Sequence, residues 1–115
     1  MNEEKILSDI LRLERMFLVH SFLYYKLDQS ILPDANYDIL CKNIFSILRE
    51  HPDIAVTTKY YEICFQCGDT GSGYYIQNYP SEIITAAFHV LYQQRKPSES
   101  FAAYIGRWGY TPEGR

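Results

Sequence analysis

The chain has 115 residues, of which 47% are apolar and 22% charged, with a formal charge of −3 and a pI near 5.5. These globular proportions exclude general disorder, and a chain of this length buries roughly two-thirds of its unfolded surface, enough for one core and a single domain over residues 1–115. The acidic balance argues against a general nucleic-acid coat, and no apolar run approaches the ~18 residues of a membrane span.

The start, Met1-Asn2-Glu3-Glu4-Lys5, is polar and does not read as a signal peptide. Three cysteines, an odd number, point to a reducing cytoplasm. Eleven tyrosines, including the pairs Tyr24-Tyr25, Tyr60-Tyr61 and Tyr74-Tyr75, suit a binding surface or a small core with wet edges.

In chain order, residues 3–27 read as a helix. Ile6, Ile10, Leu13 and Phe17 recur at helical spacing, Leu7, Leu11 and Leu18 widen the stripe, and no Gly or Pro interrupts the run. Residues 28–33 break the pattern and form a connection short enough for an antiparallel helix pair. Asp34 is the expected N-cap of a second helix, whose apolar face is Tyr37, Leu40, Cys41, Ile44, Phe45 and Leu48. That helix should end near Glu50 and His51, because Pro52 disfavours α geometry in the residue before it. Residues 56–67, rich in β-branched and aromatic side chains, suggest a strand or a short helix, and residues 74–77 a returning strand across the glycine-rich turn 68–73. A third helix is expected over residues 82–94 with Ser81 as cap, and a short last one through Ile105 capped by Ser98, followed by an irregular tail. The expected class is therefore mainly α with a small β element: an antiparallel helix pair with one or two helices packed behind it.

The stretch with the most chemistry spans residues 20–40. The end of the first helix delivers Tyr24 and Tyr25, and the start of the second delivers Asp34, Tyr37 and Asp38. Asp34 and Asp38 are four apart and project on one side of a helix start. The segment holds three Asp against one Lys. Aromatic faces beside carboxylates fit a flat, cationic ring with hydroxyls nearby. Each ring–cation contact is worth roughly 0.5–2 kcal/mol, and carboxylates accept charge-assisted hydrogen bonds. Nicotinamide riboside has these features. A phosphate would be repelled unless it pointed away or met an arginine. His20, one turn before Tyr24, borders the expected pocket.

Tyr24-Tyr25, Asp28, Asp34-Ala35-Asn36-Tyr37-Asp38-Ile39-Leu40 and His51-Pro52 resemble the N-terminal (Ia) helical domain of NAD-dependent DNA ligases over about residues 5–54. The resemblance implies that Tyr24, Tyr25, Asp34, Tyr37 and Asp38 grip the nicotinamide mononucleotide half of NAD. No lysine here is followed by x-Asp-Gly, the pattern of the ligase nucleophile, and after Ile54 the family pattern is lost. These departures imply a non-catalytic module that binds NAD or nicotinamide mononucleotide and does not seal a nick alone. The alternative is a protein-interaction or inhibitor module, of viral or mobile-element origin and acting in a host cytoplasm, that reuses the scaffold against a nucleic-acid enzyme or defence protein. A split enzyme with a separate adenylation subunit is a third reading.

Other signals are weaker. Cys64-Phe65-Gln66-Cys67 is a lone CxxC, short of the four ligands of a structural zinc site, and reads as buried or half-buried thiols. Asp69-Thr70-Gly71-Ser72 echoes the aspartic protease tetrapeptide, but two long helices contradict that all-β fold. Residues 93–115 carry four basic and two acidic residues, which is ordinary for a solvated surface. No metal site, membrane contact or independent nucleic-acid contact is expected.

Overall fold

The computed structural model describes residues 2–112. Helix α1 (Glu3–Lys26) opens where Asn2 caps it, the Asn2 carboxamide oxygen accepting from the Glu4 and Lys5 N–H groups at 2.9 and 3.4 Å. Glu3 and Glu4 in the first turn and Lys26 in the last complement the helix dipole. Helix α2 (Asp34–Glu50) buries Tyr37, Leu40, Cys41, Ile44 and Leu48, the face the spacing predicts. Pro33, rather than Asp34, holds its N-cap position without a side-chain cap bond, so Asp34 is the first helical residue. There its carboxylate meets the positive end of the dipole.

The middle of the chain differs from expectation. Residues 52–70 form three single-turn helices, α3 (Pro52–Ala55), α4 (Tyr61–Cys64) and α5 (Cys67–Thr70), and no strand occurs among the described residues. The expected hairpin is absent for a local reason. The Thr57 hydroxyl donates back to the Ile54 carbonyl at 2.7 Å, and the Thr57 and Thr58 N–H groups donate to the carbonyls of Ile54 and Ala55 at 3.1 Å, closing turns where a ladder would need an extended chain. Beyond Gly71, whose φ of 73° ends α5 in the left-handed region, residues 76–80 are irregular. They are tied down by side chains, among them the Tyr75 hydroxyl donating to the Ile63 carbonyl. Packing thus overrides a β-favouring composition.

Helix α6 (Ser81–Arg95) is followed by α7 (Phe101–Gly106). Pro80 holds the N-cap position of α6, and Ser100, rather than Ser98, caps α7 by accepting from the Ala103 N–H at 3.2 Å. Helix α1 packs on α2 on one side and α6 on the other. The Phe22 ring meets Tyr79 and Phe88 edge-on at 5.2 and 5.9 Å. Residues after α7 fold back onto this contact, with Trp108 and Tyr110 at 5.7 and 5.0 Å from Phe88. The two-sided packing explains why the second half of α1 buries Phe17, Leu18, Val19, Phe22 and Leu23 around more than half its circumference.

A carboxyl side chain lies inside this core. Glu14 is fully buried; its Oε2 accepts from the Thr58 hydroxyl at 2.7 Å, while Oε1 has no partner. Burial pushes its carboxyl above the usual carboxylate range, and the Thr58 bond offsets only part of that. No helix among the described residues is long and apolar enough to cross a membrane.

Candidate functional site

A narrow cleft lies where the last turns of α1 approach the first turn of α2. His20 and Tyr24 line it from α1, Asp34 and Tyr37 from α2, and Gln29, Ser30, Ile31 and Leu32 from the connection. The helical spacing i, i+4 places His20 above Tyr24 on one face. The connection is set by Asp28, which leaves α1 with a φ of 56°. Aspartate tolerates this left-handed geometry better than most residues. The following Gln29 N–H then turns back to the Leu23 carbonyl at 2.8 Å.

Four tyrosines cluster at the rim. Tyr24 lies 4.8 Å from Tyr25 and 6.0 Å from Tyr37, centroid to centroid. Tyr25 lies 6.3 Å from Tyr37 and 5.4 Å from Tyr74. Tyr24 and Tyr74 are exposed, Tyr25 is half-buried and Tyr37 is buried. The Tyr37 hydroxyl is engaged within the protein: it lies 2.7 Å from the Ser21 hydroxyl and accepts from the Gly73 N–H at 3.0 Å. Burial raises its pKa far above the usual phenol value. Tyr37 therefore offers the cleft a neutral ring, with its hydroxyl already paired.

Electrostatically, the cleft is acidic and aromatic. Asp34 is exposed at the helix start, and burial pushes the His20 imidazole below its usual range, so His20 is neutral at pH 7. A neutral imidazole does not oppose a cationic guest. The free space between the walls is about 10 Å³, that of a single water. Tyr24, 38% exposed, is the wall element with room to swing outward.

The sequence-predicted residues divide between two places. Tyr24, Asp34 and Tyr37 share the cleft, and Tyr25 touches it through its ring contacts with Tyr24 and Tyr37. Asp38 lies elsewhere, lining a hollow of about 160 Å³ with Cys41, Lys42, Phe45, Cys67, Gly68 and Gly71. Asp38 stands one turn beyond Asp34 and about 100° around the axis from Tyr37, so it shares Asp34's side of α2 but faces away from the Tyr37 ring. Sequence reasoning missed Gln29 and Ser21, which carry no local signal. It also missed Gly73, where a Cβ would stand 2.3 Å from the Ser21 Oγ. The close approach of backbone to two hydroxyls is what requires glycine there.

The three cysteines are free and buried. Burial raises the thiols of Cys41, Cys64 and Cys67, that of Cys67 to about 11. Among the described residues no group of His, Cys, Asp or Glu is placed to hold a metal ion.

The chain is 43% identical over 42 residues to the DNA ligase of Bacillus subtilis (strain 168), an overlap of 36% of this chain and 6% of that protein. It is 32% identical over 62 residues to the DNA ligase of Ehrlichia canis (strain Jake), an overlap of 54% of this chain and 9% of that protein. The chain thus spans less than a tenth of the length of these relatives. No solved structure matches it. The model of the DNA ligase-like, N-terminal NAD+-binding domain matches residues 3–59, which take in α1, α2, α3 and both helical walls of the cleft. Residues 3–59 of this chain therefore belong to the DNA ligase-like, N-terminal NAD+-binding domain family.

Proposed function

We propose that the cleft between α1 and α2 receives the nicotinamide riboside portion of NAD or of nicotinamide mononucleotide, and that the chain acts as a non-catalytic binding module. The observation that carries this reading is the meeting of Tyr24, Asp34 and Tyr37 around one cleft in the segment that matches an NAD+-binding family. The residues fit the group chemically. Tyrosine faces attract a cationic pyridinium ring, the Asp34 carboxylate accepts from ribose hydroxyls or a carboxamide, and a neutral His20 leaves the cation unopposed. Tyr25 packs edge-on against Tyr24 and is itself met by Tyr74, and Asp38 adds negative potential from the next turn of α2. Because the walls stand close together, entry requires Tyr24 to swing outward.

Calorimetry with NAD, nicotinamide mononucleotide and AMP tests the reading. Binding of the first two and not of AMP is expected, and no heat with either at millimolar concentration would remove it.

A second reading, a protein-interaction module, draws on Phe65 and Tyr74, which are 45% and 76% exposed in the half outside the family match. Capture of one stoichiometric partner, undiminished by Tyr24→Ala or Asp34→Ala, would favour it.

A further inference from the structure

Arg95 belongs to the half of the chain outside the family match, yet it reaches the wall of the cleft. Its Nη2 donates to the Gln29 Oε1 at 3.1 Å across a separation of 66 residues, and Gln29 lines the cleft with His20, Tyr24 and Asp34. The contact is a product of the tertiary fold, which packs α6 on α1.

Both partners sit beside a left-handed residue that ends a helix. Asp28, before Gln29, has a φ of 56°, and Lys96, after Arg95, a φ of 48°. Each turn is closed by a backbone bond, Gln29 N–H to the Leu23 carbonyl at 2.8 Å and Lys96 N–H to the Tyr92 carbonyl at 2.9 Å. Non-glycine residues adopt this region at a steric cost, so the approach of the two helix ends is specified rather than incidental. A basic residue in the last turn of α6 suits the dipole anywhere; the bond to Gln29 is what directs this one to the cleft.

The charge of Arg95 is uncompensated. The ion pairs among the described residues use Lys5, Arg12, Lys59 and Arg107, and the partner of Arg95 is a neutral amide that occupies one of its five donors. The side chain is exposed. The cleft is therefore acidic at Asp34 and basic at its Gln29 edge. A nicotinamide ribotide carries the matching pair of charges, a pyridinium cation at one end of the ribose and a phosphate anion at the other.

Resting on the nucleotide reading above, we propose that Arg95 is the phosphate-binding residue of the cleft. It takes the 5′-phosphate while Tyr24, Asp34 and Tyr37 take the ring and sugar, so the C-terminal half selects the ribotide over the riboside.

The test is calorimetry on the full chain with nicotinamide riboside, nicotinamide mononucleotide and NAD, at low and high salt. Wild type should prefer the two phosphorylated ligands, and that preference should shrink with salt. Arg95→Ala should weaken both phosphorylated ligands by about three- to tenfold and leave the riboside unchanged. Arg95→Lys, which keeps the charge, should retain most of the preference. If Arg95→Ala weakens all three ligands equally, or none while wild type binds them, the assignment of Arg95 is overturned and the cleft reading stands. If wild type binds none of them, the cleft reading falls and this inference with it.

Discussion

The hydroxyls of Ser21 and Tyr37 lie 2.7 Å apart in the interior, and the Gly73 N–H donates to Tyr37 at 3.0 Å. Three segments far apart in sequence, α1, α2 and the turn before α6, meet at this point. Removing the phenol oxygen by Tyr37→Phe leaves a buried hydroxyl and a buried N–H without their partner, which costs about 1–3 kcal/mol. Urea denaturation should show a lower midpoint with an unchanged slope.

Gly73→Ala should be at least as damaging. The added Cβ would stand 2.3 Å from the Ser21 Oγ and 2.7 Å from its Cβ. Overpacking of this kind costs typically about 1–3 kcal/mol. Since the Ser21 Cβ is itself in the way, adding Ser21→Ala should fail to restore stability. A thermal melt of the double variant that returned to the wild-type midpoint would contradict the geometry.

Tyr24→Ala and Asp34→Ala should separate binding from folding. Both side chains are exposed, so unfolding midpoints should move little. Nicotinamide nucleotide affinity should drop by about tenfold for Tyr24→Ala, the worth of one ring–cation contact. Asp38→Ala should act more weakly than Asp34→Ala, because Asp38 lines a different hollow. Equal losses for the two aspartates would place the ligand outside the α1–α2 cleft.

Two glutamates should tilt the pH dependence of stability in opposite directions. Glu14 has a raised pKa in the fold, so the native state binds the extra proton. Its contribution is whole below the ordinary carboxylate value of 4.5 and is lost as pH rises through the folded value. Glu14→Gln should therefore be more stable than wild type at pH 7, and the gap should close toward pH 4.5. Glu82 has the reverse sign. Hydrogen bonds from Lys59 and Tyr60 hold it down at about 2, so its contribution is present above 4.5 and lost as pH falls toward 2. Glu82→Gln should flatten the acid limb of a midpoint-against-pH curve and leave the alkaline limb unchanged.

The buried thiols should be slow. With Cys67 raised to about 11, little thiolate exists at pH 8, and it is the thiolate that reacts. Labelling by a disulfide reagent should lag far behind that of the urea-unfolded chain, and added zinc should leave the melting temperature unmoved.

The long helices were legible because their apolar residues repeat without interruption and proline marks their boundaries. Residues 52–70 were not, since Val, Thr and Tyr favour strands until the Thr57 hydroxyl and the Thr58 N–H bond back to the preceding turn. Within the site, the convergence of Tyr24, Asp34 and Tyr37 followed from two helix ends joined by a short connection. Asp38, one turn beyond Asp34, lines a neighbouring hollow instead, with Cys67, Gly68 and Gly71 from a segment whose packing a linear motif hides. Gln29, Gly73 and Arg95 were invisible because each acts through a partner brought close only by the packing of α1 against both neighbours.

Helix α1 is a shared wall, with the family-matched partner α2 on one flank and α6 on the other. Trimming the chain to residues 3–59 would uncover Phe22, which now rests on Phe88 and Tyr79, and would strip the Gly73 donor from Tyr37. Such an excised fragment should clump or self-associate unless new greasy-to-polar changes were built into that flank, so the matched segment is not a portable cassette.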